Sequence, residues 1–254
     1  MRVASVIVGL VLLGLSPVVG RADNLVSNGN FENLKQSGVS SEFGSRYSSQ
    51  QVTGWQTGGY NFVFTPGAAD TTGAPGRGRP VILWGPGSGS VNGLPATSPS
   101  GGNFLALDGD VDPGAVTQTI NGLLPNHVAT VFFNWAGAQQ SGYTGPTTEQ
   151  LQVSLGDQTQ STPVLQNVSK GFTGWQPQEF SFLPTSATEV LSFLAIGTPA
   201  GVPPFSLLDG VTLSESPEPS SWPMLLLAGG IAVGLSSFLR RVRRAFVPAS
   251  DRAK

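Results

Sequence analysis

Glu149-Gln150-Leu151-Gln152-Val153-Ser154-Leu155 is the stretch that decides the fold class of this chain. Apolar side chains fall at every second position. An extended backbone therefore puts Leu151, Val153 and Leu155 on one face, with Gln150, Gln152 and Ser154 on the other. A helix would scatter the same residues around its axis. Gly156-Asp157 follows as a turn signal. The stretch predicts a β-strand with one dry and one wet face.

The same reading extends outward on both sides. Residues 178–183 alternate too, with Phe180 and Phe182 sharing a side, and residues 128–135 are rich in β-branched and aromatic side chains. Residues 103–108 and 115–120 are strand-like, separated by Asp-Gly and Pro-Gly turns. Residues 190–196 are apolar on both faces, the pattern of a central strand covered on both sides. Nearer the N-terminus, residues 53–55, 60–64 and 81–84 give short aromatic or apolar strands. Residues 33–51, 65–79 and 85–102 between them are rich in Ser, Gly, Pro and Ala and read as loops, of a length that marks function or mobility. No helical period persists between residues 23 and 215. Short strands recurring every ten or so residues, with turns between them, predict an all-β protein, a two-sheet β-sandwich of jelly-roll type.

Composition narrows the function classes. The chain has 34 glycines, 20 prolines and 11% charged residues, a turn-rich and weakly charged make-up suited to an exported all-β domain. It has no cysteine and one histidine, which excludes disulfides and a zinc site built from those residues. The net charge of −2 includes a basic C-terminal tail, so the remainder is more acidic and no nucleic-acid partner is expected.

Both ends carry export signals. Arg2, the apolar run 3–15 and the small residues Gly20 and Ala22 make residues 1–22 a signal peptide, cut by signal peptidase after Ala22. A retained N-terminal anchor is the alternative. Residues 23–215 are the size of one exported domain. Residues 216–221 form a proline-rich stalk holding Pro217, Glu218 and Pro219, which cannot be helical throughout. Residues 222–239 carry no charge and, at about 18 residues, suffice for a transmembrane helix. Residues 240–254 begin with Arg240, Arg241, Arg243 and Arg244, which hold that end in the cytoplasm.

This three-part ending resembles the PEP-CTERM sorting signal of Gram-negative bacteria. The resemblance rests on Pro217-Glu218-Pro219, the apolar span and the arginine cluster; Pro223 and residues 245–254 extend the usual pattern. It implies recognition by exosortase, a membrane cysteine protease-transpeptidase. The exported domain would be held transiently by the C-terminal helix and then reach the envelope or the extracellular space. A plain membrane anchor on a stalk is the alternative.

The mature N-terminus, Asn24-Leu25-Val26-Ser27-Asn28-Gly29-Asn30-Phe31-Glu32, and the closing Leu207-Leu208-Asp209-Gly210-Val211-Thr212-Leu213 form a second resemblance. Together they are similar to the two ends of galactose-binding-like jelly rolls, which include several carbohydrate-binding modules and DUF642-like domains. That resemblance implies a structural calcium ligated by Glu32 and Asp209, with Asn30 nearby. The alternative is that Asp209 caps a turn at Gly210. Asp108-Gly109-Asp110-Val111-Asp112 also alternates carboxylates, but it lacks the closing glutamate and flanking helices of an EF-hand, so a solvated turn is expected.

Trp55, Trp84, Trp135, Trp175 and Tyr60 or Tyr143 are candidates to stack on sugar rings, with partial core burial as the alternative; Trp135 continues an apolar strand and is expected in the core. Trp55 and Trp175 each sit in Thr-Gly-Trp-Gln, which predicts equivalent corners; Trp84 ends an apolar run. Residues 136–148, with Gln139, Gln140 and Tyr143, form the candidate ligand loop. His127 is expected in an exposed turn, with no Gly-x-Ser-x-Gly elbow to accompany it. Paired carboxylates for glycoside hydrolysis have as candidates Glu32, Asp108, Asp110, Asp112, Glu149, Glu179 and Asp209, with nothing to pair any two. The chain thus reads as a non-enzymatic envelope or extracellular-matrix protein. The alternative is a carbohydrate-binding module for exopolysaccharide or plant-type glycan, and the third reading is a glycoside-active enzyme.

Overall fold

Alternation along the sequence becomes strand pairing in the computed structural model, which describes residues 23–90 and 92–215. The strands are β1 (Ser41–Glu42), β2 (Gln56–Thr57), β3 (Phe62–Phe64), β4 (Phe104–Asp108), β5 (Val116–Asn121) and β6 (Ala129–Gln139). They continue with β7 (Thr147–Leu155), β8 (Gln158–Ser161), β9 (Leu165–Asn167), β10 (Gln176–Phe182), β11 (Thr188–Thr198) and β12 (Pro204–Glu215). One sheet runs β1-β3-β4-β12-β6-β10. The other runs β2-β5-β11-β7-β8, with β9 also on β7. Strand pairs within both are antiparallel. The chain changes sheet at each step from β4 to β7, and again from β10 to β12. The result is a β-sandwich, as expected.

The inner faces meet in a core that includes Phe31, Trp55, Phe133, Trp135, Phe193 and Leu208. On β7 the inward row is Thr147, Glu149, Leu151, Val153 and Leu155, in the parity read from the sequence. A second core lies on the outer face of the first sheet. Phe62, Phe64, Phe104, Phe205 and Leu207 point outward there and are covered by Ala69, Ala74, Val81, Leu83 and Leu94 from the long 65–102 segment. This explains why every residue of β4 is buried. The Gly- and Pro-rich loops are a third layer, and their composition suits turns that must follow an apolar surface closely.

Several expectations need correction. Residues 81–84 make only isolated bridges, Val81 to Ala74 and Leu83 to Gln140, because they belong to that covering layer and not to a sheet. Residues 53–55 turn into β2 instead of forming a strand themselves. β11 is central, between β5 and β7, but Val190 and Ile196 on its outer face are 46% and 41% exposed. Nothing in the described residues covers that face, so burial on both sides belongs to β4 and the first half of β12. β6 extends through Gln139, which shortens the candidate ligand loop to residues 140–146.

The two ends of the domain do meet. Leu25 N–H donates to Leu213 O at 2.8 Å, and Val211 N–H to Gly29 O at 2.9 Å. A Cβ at Gly29 would lie 1.9 Å from Val211 O, so the Asn-Gly of the opening segment is required by close approach to β12. β12 shifts register between Asp209 and Thr212, with Gly210 at φ 63° in the bulge. Among the described residues no helix is long and apolar enough to cross a membrane. The signal peptide 1–22, the motif Pro217-Glu218-Pro219, the span 222–239 and the arginine cluster lie outside the described residues.

Phe104 is 1% exposed and sits 5.7 Å, centroid to centroid, from both Phe64 and Trp175. Phe104→Ala is expected to cost about 3–5 kcal/mol in urea unfolding. A loss below about 1 kcal/mol would show that the loops do not form a true second core.

Candidate functional site

The shortened ligand loop opens onto a cleft at one end of the sandwich. The cleft encloses about 250 Å3 and is lined by Tyr60, Arg77, Arg79, Val111, Gln140, Tyr143 and Pro203. Each wall is held by backbone pairing. Tyr60 N–H donates to Asp112 O at 2.9 Å, Gln140 N–H to Pro203 O at 3.1 Å, and Ser141 N–H to Ile82 O at 2.7 Å. The covering layer thus supplies one side of the cleft and the sandwich loops supply the other.

Arg77 organises its near wall. Its Nε and Nη2 donate to Glu42 Oε1 at 3.0 and 2.9 Å, and its Nη1 donates to Asp112 Oδ2 at 2.5 Å. The guanidinium lies 4.8 Å from the ring centroids of both Tyr47 and Tyr60. The Glu42 side chain is only 3% exposed, so Arg77 neutralises a buried carboxylate. Burial pushes the Tyr60 hydroxyl pKa up, against the lowering effect of the Arg77 N–H bonded to it.

Gln139 and Gln140 have opposite roles. Gln139 lies on the inward parity of β6 and is wholly buried. Its Nε2 donates to Gly145 O at 3.0 Å and its Oε1 accepts from Lys170 N–H at 2.7 Å. It braces the 140–146 loop against the turn at Lys170, itself at φ 62°, and is not on the wall of this cleft. Gln140 is on the cleft wall. Trp84 Nε1 donates to Tyr143 O at 2.8 Å, which fixes the loop that carries Tyr143. Arg79 stacks on Tyr143 at 5.2 Å, and Lys170 Nζ on Trp84 at 5.1 Å.

The carboxylates read as catalytic candidates are mostly engaged. Asp108 is 1% exposed and accepts the N–H groups of Asp110 and Asp112 at 3.2 and 2.7 Å. The expected solvated turn is therefore folded around a buried carboxylate, whose pKa is raised by burial. Asp110 accepts from Gly201 N–H, and Glu179 is exposed on β10. His127 is half-buried in the turn before β6, with Nδ1 3.1 Å from Pro125 O. Trp135 is in the core as expected. The two Thr-Gly-Trp-Gln corners differ: Trp55 is buried in the first core and donates to Asn28 O, whereas Trp175 packs on the second core. A wider depression of about 560 Å3 follows residues 51–57, and its tryptophan is the buried Trp55.

Glu32 and Asp209 converge on one loop. Asp209 is fully buried; its Oδ2 accepts from Ser100 N–H at 3.0 Å and from Ser100 Oγ at 2.5 Å. Glu32 Oε1 accepts from Asn103 N–H at 2.6 Å, in the same loop. Asp209 Oδ1 is buried with no hydrogen-bond partner among the described residues. Asn30 lines the adjoining cleft with Ser100, Phe132 and Asn134. Asp209 therefore braces the 98–103 loop and does not cap Gly210. The donors are all oxygens, the set a calcium ion takes, and Asp209 Oδ1 is an orphan such an ion would satisfy. Among the described residues no group of three or more His, Cys, Asp or Glu is placed so that it could hold a metal ion. The remaining ligands would then be amide and backbone oxygens.

No family model and no curated protein matches this chain. Solved structures with a similar backbone include the module TmCBM61 in complex with β-1,4-galactotriose, at 16% identity, TM-score 0.40, spanning 76% of this chain and 99% of that one. Another is the enzymatically active domain of bacteriophage CBA120 tailspike protein 4, at 16% identity and TM-score 0.32, spanning 79% of this chain and 22% of that one. A third is the CBM22-1 xylan-binding domain of Paenibacillus barcinonensis Xyn10C, at 13% identity and TM-score 0.34, spanning 77% and 96%.

Glu149 gives a pH prediction. It is 1% exposed on the inner face of β7, and a Cβ at Gly137 on the facing sheet would lie 2.4 Å from its Oε2. Burial pushes its pKa up to about 7, against the Thr147 hydroxyl, which donates to its Oε1 and lowers it. The native state thus keeps a proton that the unfolded chain releases near 4.5. Its contribution to stability is full below that pH, drains away up to about 7 and is flat above. Between pH 4 and 8 the stability of Glu149→Gln is expected to gain on wild type by on the order of 3 kcal/mol in urea melts. A difference that stays constant with pH would refute the assignment.

Proposed function

We propose that this chain is an exported, non-catalytic envelope protein whose β-sandwich binds polysaccharide at the Tyr60–Tyr143 cleft. The observation that carries this reading is the pairing of two tyrosines with the Gln140 side chain in one cleft built by loops of a rigid scaffold. A sugar ring has an apolar face of C–H groups that stacks on an aromatic ring. Its rim of hydroxyls both donates and accepts, as a carboxamide does. The cleft supplies both surfaces, and the neighbouring Asp112 and Asp110 accept hydrogen bonds from Arg77 and from Gly201 N–H. Delivery by a C-terminal sorting signal through exosortase, after signal-peptide removal, completes the proposal; it rests on the residues at the two chain ends.

We further propose that Glu32 and Asp209, with Asn30, hold a calcium ion. Such an ion would supply positive charge beside the orphaned Asp209 oxygen and lock the 98–103 loop to the opening segment. The residues themselves already bring these pieces together through Ser100 and Asn103.

Two experiments follow. The full-length protein run in native gels containing plant or bacterial polysaccharides is expected to be retarded by at least one. Tyr143→Ala should weaken that retention about tenfold, the equivalent of 1.4 kcal/mol. Equal mobility in every gel would remove the polysaccharide reading. In calorimetry, chelator is expected to lower the melting temperature of wild type and leave Asp209→Asn unmoved; identical wild-type scans with calcium and with chelator would discard the ion.

A further inference from the structure

The domain between residues 23 and 215 has thirteen acidic side chains and five basic ones, a net charge of −8 with histidine neutral. Such a surface repels anions in general. Its few cations, however, are not spread out. Four of the five rest on aromatic rings: Arg46 on Tyr47, Arg77 on Tyr47 and Tyr60, Arg79 on Tyr143, and Lys170 on Trp84. All three tyrosines of the chain are used in this way. These contacts form one continuous belt, because Arg77 touches two tyrosines, Arg77 and Arg79 both line the cleft, and Trp84 donates to the backbone of Tyr143.

Carboxylates near the belt already have specific partners, although one guanidinium shared by two of them offsets a single negative charge. Glu42 and Asp112 belong to Arg77, Asp108 to backbone N–H groups of its own turn, and Asp110 to Gly201 N–H. Among the described residues the ion pairs found are those of Arg77. Arg79 and Lys170 therefore keep their charge free while their stems are fixed by ring stacking, which holds a guanidinium or ammonium in place without consuming it. Lys170 is further positioned by the Gln139 brace on its N–H.

We infer that this cleft selects acidic polysaccharide, with Arg79 binding a sugar carboxylate beside the Tyr143 ring and Lys170 serving the next acidic unit along the belt. The inference rests on the polysaccharide-binding reading and adds the chemical class of the ligand. A planar guanidinium matches a uronate carboxylate in a two-point, charge-assisted contact, and a neutral sugar has no charge to bring to it. Two cations on a rigid path also favour a polymer over a single sugar, since successive units engage together.

The test uses the purified full-length protein and three acidic polymers: polygalacturonate, alginate and a glucuronate-bearing xylan. Each is paired with its carboxyl-reduced, neutral counterpart in affinity gels. At least one acidic polymer is expected to retain the protein about tenfold more strongly than its reduced partner, with retention falling as NaCl rises. Arg79→Gln should erase that preference, and Arg79→Lys should keep part of it. Arg79 is exposed, so neither change threatens the fold; unchanged melting temperature verifies that. Equal retention on acidic and neutral members, or an acid preference untouched by Arg79→Gln, overturns the selectivity while leaving polysaccharide binding intact. Retention by none of the six polymers overturns both.

Discussion

Everything in this domain depends on the middle of one sheet being buried on both faces. β4 and the first half of β12 have no wet side, since the sandwich core lies beneath them and a layer of irregular chain lies above. A strand in that position is expected to be nearly continuous in apolar residues, and Phe104-Leu105-Ala106-Leu107 satisfies this, with the buried Asp108 at its end held by backbone N–H groups. The covering segment contributes small and aliphatic side chains, while its glycines and prolines give the turns needed to lie flat on phenylalanine rings. Without any disulfide, packing of this third layer is what holds residues 65–102 in place. The cleft inherits its rigidity from that layer, because Arg77, Arg79 and Trp84 all stand on it.

How much of this was legible depends on the range over which a signal acts. Parity along a strand is local, so β7 and β10 could be read with their inward rows intact. β11 misled for a physical reason: Val190 and Ile196 are apolar enough to suggest a covered strand, yet they form an exposed stripe among serines and threonines. β1, β8 and β9 left no trace, being short and polar; Gln158–Ser161 shows no apolar alternation, although it pairs with β7. The covering role of residues 65–102 could not be seen, since Ala69 or Leu94 means nothing until Phe64 and Phe205 are placed beneath them.

The site divides in the same way. Gln140 and Tyr143 stood out as polar and aromatic residues in a turn. Gln139 could have been assigned inward by counting from Trp135 along β6, because odd positions on that strand face the core. Tyr60 is legible as an aromatic able to stack on a sugar ring, but Arg77 and Arg79 carry no local mark. Their partners lie far along the chain, as with Arg77 and Glu42 at a separation of 35 residues. At the Asp209 loop both carboxylates had been singled out, but the residues that join them, Ser100 and Asn103, sit in a stretch whose composition reads only as loop.

The bond from Leu25 to Leu213 has a mechanical meaning. Entry and exit of the domain are neighbours, so a pull applied between them loads that seam first, before any force reaches the phenylalanine-filled interior. The domain would hang as a pendant from whatever holds its two ends. The same closeness would let it be spliced into a surface turn of an unrelated host, replacing a few residues without prising the host apart.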